Sequence, residues 1–271
     1  MDAIASRCYT SRMARPRKRH VQQSFTYRKR DKNGQWRGGA RPNAGRKAKG
    51  AYAGAPHKRR ASIDRRQPQH VTIRVSAGLG WLRNFDTYRA IRRALQRVMT
   101  SQPAFRIVHF SLQNTHIHLI CEANDKRVLA KGMQAFQISA ARHLNAAISR
   151  RRRKKHSGTV FTDRYHAEPL GSVRQVRNAI AYVLNNWRRH HADEPSVFQL
   201  FRGRLDPYAS GLAFAGWRES VPEREQVYPP DYEPPPTREP TTWLLRQSWT
   251  RATSISMFEV PGPRAIARVD A

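Results

Sequence analysis

Phe105-Arg-Ile-Val-His-Phe-Ser-Leu-Gln-Asn-Thr-His-Ile-His-Leu-Ile-Cys121 decides how this chain reads. Apolar residues mark out two short runs, Phe105–Leu112 and His116–Cys121, separated by Gln113-Asn114-Thr115. Two strand-like runs with so short a break predict a β-hairpin. Residues i and i+2 of a strand share a face. His116 and His118 therefore project together, with Ile117 packing into the core behind them. Two adjacent imidazoles can hold one divalent metal. The same pair also fits two histidines on a solvated face, and the dipeptide pattern alone does not choose between them.

Working outward, His70-Val-Thr-Ile-Arg-Val75 alternates as a strand. DTYRAIRRALQRVM, residues 86–99, has helical spacing behind Asp86, the expected N-cap. A long helix is predicted from about Lys126 to Arg150, with Leu129, Met133, Phe136, Ala140, Leu144 and Ile148 as its apolar stripe. The basic run Arg150–Lys155 leads through Gly158 to a strand predicted over Thr159–Leu170, and a last core helix over Ser172–His190. The order strand, helix, strand, strand, helix, strand predicts an α+β ferredoxin-like antiparallel sheet with helices on one face.

Lys and Arg number 51 against 19 Asp and Glu, a formal net charge of +32. A compact protein so charged repels itself unless a polyanion neutralises it, which makes nucleic acid the expected partner. An acidic membrane surface would call for an amphipathic anchor or lipidation motif, and the sequence shows neither. It also has no apolar run of a secretory signal or of the roughly 18 residues that span a bilayer. Cys8 and Cys121 are a poor disulfide pair and suit a reducing cytoplasm. Localisation is expected to be cytoplasmic, at a bacterial nucleoid.

Three regions are expected. Residues 1–66 hold 20 basic residues and three acids, without apolar periodicity. They read as a disordered basic DNA-binding arm. Within it, Arg37-Gly-Gly-Ala-Arg41-Pro-Asn-Ala-Gly-Arg46-Lys47 fits either a minor-groove hook or a tail that tracks phosphates. Residues 67–194 form the catalytic core. Residues 195–271 form a C-terminal extension containing a Pro-rich acidic linker, Val221–Pro240, expected to run extended.

At 100° per residue, Val176, Ile180, Val183 and Trp187 make one apolar stripe on the last core helix. Asn178, Tyr182, Asn186 and Arg189 fall together well off it. Tyr182 is thus not where the helix needs a core aromatic, and Asn186 lies one turn further on, able to address the same point.

Together His116-Ile-His118, the long helix, Gly158-Thr-Val-Phe161, Asp163-Arg164-Tyr165-His166 and Tyr182-Val-Leu-Asn-Asn186 resemble the single-tyrosine HUH transposases, most of all the REP-associated tyrosine branch. The resemblance covers roughly residues 69–217. Two positions depart from it. Thr115 stands between Asn114 and His116, where the branch has Asn next to its first histidine, and Trp187 follows Asn186 where the branch has Pro. The resemblance implies an HUH nuclease core acting on single-stranded or hairpin DNA of a mobile or repeated element.

The chemistry also follows from the residues. A divalent cation on His116 and His118, with Asn186 as third ligand, would stabilise charge developing on a phosphodiester. Imidazole and amide-oxygen ligation suits Mg²⁺ or Mn²⁺. Tyr182 would attack, expel a 3′-hydroxyl and leave a 5′-phosphotyrosine. That link conserves the bond energy, so rejoining needs no nucleotide cofactor. Free tyrosine has a pKa of about 10, so the metal or nearby Lys/Arg must help ionise it. Tyr165 is the rival nucleophile. Arg150–Lys155 and Arg89, Arg92, Arg93 and Arg97 of the first helix are candidate phosphate contacts. A nucleic-acid-binding protein that keeps the fold without catalysis, and a domesticated nuclease that no longer transposes, remain alternatives. Whether the chain forms a homodimer is left open.

Overall fold

Strands β1 (Gln69–Arg74), β2 (Phe105–Leu112), β3 (His116–Ala123) and β4 (His166–Pro169) form one antiparallel sheet in the order β2-β3-β1-β4. Helix α1 (Phe85–Ser101) links β1 to β2, α2 (Lys126–Arg152) links β3 to β4, and α3 (Val173–Arg189) follows β4. This is the ferredoxin-like α+β arrangement. The computed structural model describes residues 62–189, 203–220, 228 and 231–262, all within the unit Gly54–Ala271. The expected basic arm lies outside the described residues up to residue 61.

Sequence accounts for the elements locally. The N-cap of α1 is Asn84 rather than Asp86: the Asn84 side chain accepts from the Thr87 amide at 3.0 Å. Asp86 sits one residue inside, where its charge suits the helix N-terminus. Asp125 caps α2 by accepting from the Arg127 and Val128 amides. That helix ends at Arg153, whose φ of 50° breaks the helical path. Leu129, Met133, Phe136, Ala140, Leu144 and Ile148 are all buried, as their spacing predicted. Each of the larger side chains contributes about 1.5–3 kcal/mol by leaving water. Glycine is required at position 132, within the second turn of α2, because the Phe105 ring comes within 2.2 Å of where a Cβ would stand.

The apolar pattern of β2 changes phase. Phe105 and Ile107 pack with α1 and α2, and so do Phe110 and Leu112, which strict alternation would send to the other side. A β-bulge between Ile107 and His109 supplies the extra residue. Val108 and His109 in succession therefore both face the opposite layer. The expected strand over Thr159–Leu170 is shorter: only His166–Pro169 pairs, with β1. Upstream of it the chain is irregular, tied to the sheet end by the Ser76 amide donating to the Val160 carbonyl at 2.8 Å.

Helices α1 and α2 cover one face of the sheet. The other carries α3, and against α3 lies the C-terminal region. The Pro-rich segment, where described, is a strap packed on the core. Tyr232 stacks on Tyr88 with centroids 5.3 Å apart, and the Tyr88 hydroxyl donates to the Glu233 carbonyl at 2.6 Å. Arg92, a candidate phosphate contact on α1, pairs instead with Glu233. The Arg238 amide donates to the Ile107 carbonyl on the edge of β2 at 2.9 Å. The buried Glu122 carboxylate accepts from the amides and hydroxyls of Thr241 and Thr242, at the start of helix α4 (Trp243–Arg246). Buried Asp206 takes a two-pronged bond from Arg83, both contacts at 2.9 Å. Glu259 does the same for Arg177 of α3.

On the α3 side of β2, His109 lies against Phe214 with Ser210 beside it. Burial lowers its imidazole from 6.5 to about 4. The unfolded chain therefore takes up a proton below pH 6.5 that the folded chain refuses until about pH 4. The stability this group contributes is complete above pH 6.5 and is lost as pH falls toward 4. Thermal unfolding midpoints should accordingly drop over this window, and less steeply in His109→Gln. Equal slopes in the two proteins would refute the assignment.

Candidate active site

Pairing brings three strands' polar side chains onto the face opposite α1 and α2. In register, Thr72 of β1 lies between His118 of β3 and His166 of β4, and Arg74 lies opposite His116. His70 is flanked by Ile120 and Glu168. By alternation His70, Thr72 and Arg74 share this face with His116 and His118, while Ile117 and Leu119 go into the α1/α2 core.

Helix α3 lies over that face and carries Tyr182 to it. The Tyr182 ring meets His118 edge-on, centroids 5.1 Å apart, and meets His70 at 5.8 Å. His116 and His118 are perpendicular at 4.6 Å. His118 is 3 % exposed, and His70, His116 and Tyr182 are half-buried.

Hydrogen bonds fix the imidazoles from behind. His118 Nδ1 lies 3.2 Å from His70 Nε2 and 3.2 Å from Thr72 Oγ1. His116 Nδ1 lies 3.2 Å from Thr115 Oγ1. Thr115, one of the two positions that depart from the resemblance, thus has a partner at the site. Burial pushes His70 down from 6.5 to about 4; Glu168 opposes the shift and His166 adds to it. His70 is therefore neutral at physiological pH and holds one proton between its two ring nitrogens.

The expected site residues separate as follows. His116, His118 and Tyr182 come together. Asn186 is buried on α3, one turn beyond Tyr182. Tyr165, the rival nucleophile, packs against the core on the α1/α2 side. Sequence reading missed His70, Thr72, His166 and Glu168. Alternation groups His70 with Thr72, and His166 with Glu168, but only strand register reveals that the first pair lies beside His118 and the second across β1 from it.

The second half of α3 is more buried than its apolar stripe predicts. Asn185, Asn186 and Arg188 are each 1 % exposed. Asn185 donates to the Ser256 carbonyl at 2.9 Å and Arg188 to the Arg204 carbonyl at 2.7 Å. The Arg188 guanidinium also lies over the Trp187 ring at 4.6 Å. Burial lowers it to about 10, against the opposing pull of Asp206 and Glu219. The helix bearing Tyr182 is thereby clamped between the sheet and the C-terminal region.

Residues 82–186 match the family model described as Transposase IS200 like. Among solved structures, the chain resembles a REP-associated tyrosine transposase bound to a REP hairpin, at 15 % identity and a TM-score of 0.35, over 50 % of this chain and 74 % of that one. It also resembles a protein from Deinococcus radiodurans R1 described as a candidate transposase, at 11 % identity and a TM-score of 0.33, over 45 % and 90 % of the two chains. No curated protein matches the chain. Among the described residues, no helix is long and apolar enough to cross a membrane.

Proposed function

We propose that this protein is a single-stranded DNA nuclease and strand transferase with Tyr182 as its nucleophile, a reading supported by the match of residues 82–186 to the IS200-like transposase family. The observation that carries the reading is the placement of Tyr182 edge-on to His118, whose ring in turn stands perpendicular to His116, with Tyr165 packed on the α1/α2 side of the sheet. In the reaction the Tyr182 oxygen forms a bond to phosphorus as the P–O3′ bond breaks. The phenol gives up its proton and the departing 3′-oxygen takes one, leaving a 5′-phosphotyrosine. Attack on that link by another 3′-hydroxyl reverses the bookkeeping and rejoins the strand without ATP.

The residues suit a divalent cation. His116 and His118 stand perpendicular with ring centroids 4.6 Å apart, which puts two imidazole donors side by side. His116 and His118 would hold Mg²⁺ or Mn²⁺ with Asn186 as third ligand. When bound, the ion polarises a non-bridging phosphate oxygen and offsets charge in the transition state. The protein's own part is orientation. With partners on Nδ1 of each ring, Nε2 would be the atom left to coordinate. Neutral His70 can accept the Nδ1–H proton of His118, which selects the ligand tautomer, and Thr72 steadies the same ring.

The reading is tested by incubating the protein with Mg²⁺ and a single strand labelled at one end or the other. An SDS-resistant adduct should retain a label 3′ of the cut and release a label 5′ of it. No adduct, or retention of the 5′ side, would overturn it.

Residues 1–66, with 20 basic side chains, are proposed to add affinity without adding chemistry. Their deletion should weaken DNA binding and flatten its dependence on salt, since fewer counterions are released. Single-turnover cleavage at saturating DNA should stay within about twofold. A truncated protein that binds as before but no longer cuts would contradict this division.

A further inference from the structure

Trp81 is the most exposed large apolar side chain among the described residues, at 76 %. Its neighbours on both sides are anchored. Leu79 and Leu82 are buried, the Leu82 amide donates to the Asn114 carbonyl at 3.0 Å, and Asn84 Nδ2 donates to the Trp81 carbonyl at 2.9 Å. Gly80 has φ of 76°, a conformation that a side chain would strain. The backbone thus holds the indole out in water on a rigid stalk, so little ordering is needed when it takes a partner.

The surroundings say what that partner is. The turn bonded to Leu82 is the one that leads into His116. Arg152 of α2 donates to the Gly78 carbonyl at 3.1 Å. A side chain at Gly80 would meet the Arg151 guanidinium at 3.9 Å. Arg151, Arg152 and Arg153 are exposed, and so is Arg74, opposite His116 at the end of β1. An exposed aromatic face with exposed cations on the segments packed against its loop suits a polyanion carrying flat rings.

We infer that Trp81 is a stacking platform for an unpaired nucleobase of a single strand, whose phosphates are taken by Arg74, Arg151 and Arg152 as it runs toward His116. The inference rests on the reading of the protein as one that binds single strands, and it assigns a contact on β1's outgoing loop, before the family match begins.

The test compares a hairpin-free single strand with an abasic strand of the same length, which keeps the phosphates and lacks the bases. Trp81→Ala should weaken binding of the base-bearing strand about 10-fold, as loss of a base–aromatic stack does. Trp81→Phe should recover most of that. Binding of the abasic strand should change less than about twofold in either variant. Thermal midpoints should stay put, because the ring is exposed. Equal losses on both strands, or none on either, would overturn the inference. So would a change of sedimentation from dimer to monomer in Trp81→Ala, since Trp81 would then serve contact with a second copy. If the wild type forms no phosphotyrosine adduct yet the stacking signature is present, the cleavage reading fails and the platform stands.

Discussion

Tyr182→Phe is expected to lower strand cleavage by roughly 10³-fold or more, as loss of a nucleophile does, with single-strand binding within about twofold of wild type. The substitution removes one oxygen and keeps the ring that packs edge-on to His118 and His70, so fold and site shape should persist. Tyr165→Phe serves as the control, because that side chain belongs to the α1/α2 side of the sheet. It should leave the covalent adduct intact. An adduct that survives Tyr182→Phe and disappears in Tyr165→Phe would transfer the chemistry to Tyr165. A wild-type protein that binds single strands and never forms an adduct would make it a binding protein that keeps the fold.

The second large effect concerns the metal, and binding can be read independently of cleavage. Manganese titration of the wild type should show one site, and EDTA should stop cleavage until Mg²⁺ or Mn²⁺ is restored. His116→Ala and His118→Ala each remove a proposed ligand. Each should weaken Mn²⁺ binding by more than the roughly 10–100-fold that follows loss of an outer partner. His70→Ala removes only the group behind His118 and should fall in that lower range, with His70→Gln recovering part because an amide can also meet Nδ1. Unchanged Mn²⁺ affinity in His118→Ala, in a protein whose thermal midpoint shows it folded, would dismiss this site. Full activity in chelator would dismiss metal-assisted cleavage altogether.

Cleavage itself should not separate a transposase from a nuclease that no longer moves its own gene, since both would use the same residues. Inverted repeats able to form hairpins beside the gene would favour the former.

The sequence by itself determined the elements and their order, because periodicity is a local property of the chain. The α2 stripe from Leu129 to Ile148 and the hairpin around Gln113–Thr115 needed no distant information. The His116–His118 pair was legible for the same reason: period two fixes a shared face whatever lies across it. The placement of Tyr182 off its helix's apolar stripe followed from 100° per residue. Register, however, is a relation between segments far apart in sequence. Only it sets Thr72 beside His118, 46 residues away, and His70 Nε2 against His118 Nδ1 across 48. The shortening of β4 was likewise decided by partners, since β1 offers pairing only to His166–Pro169. The C-terminal region shows the limit most clearly. The Pro-rich composition of Val221–Pro240 disfavours helix and sheet but says nothing of where the chain lies. Its course is set by single polar anchors, Glu122 on Thr241 and Thr242, Asp206 on Arg83 and Glu259 on Arg177, and such pairings leave no periodic trace in a sequence.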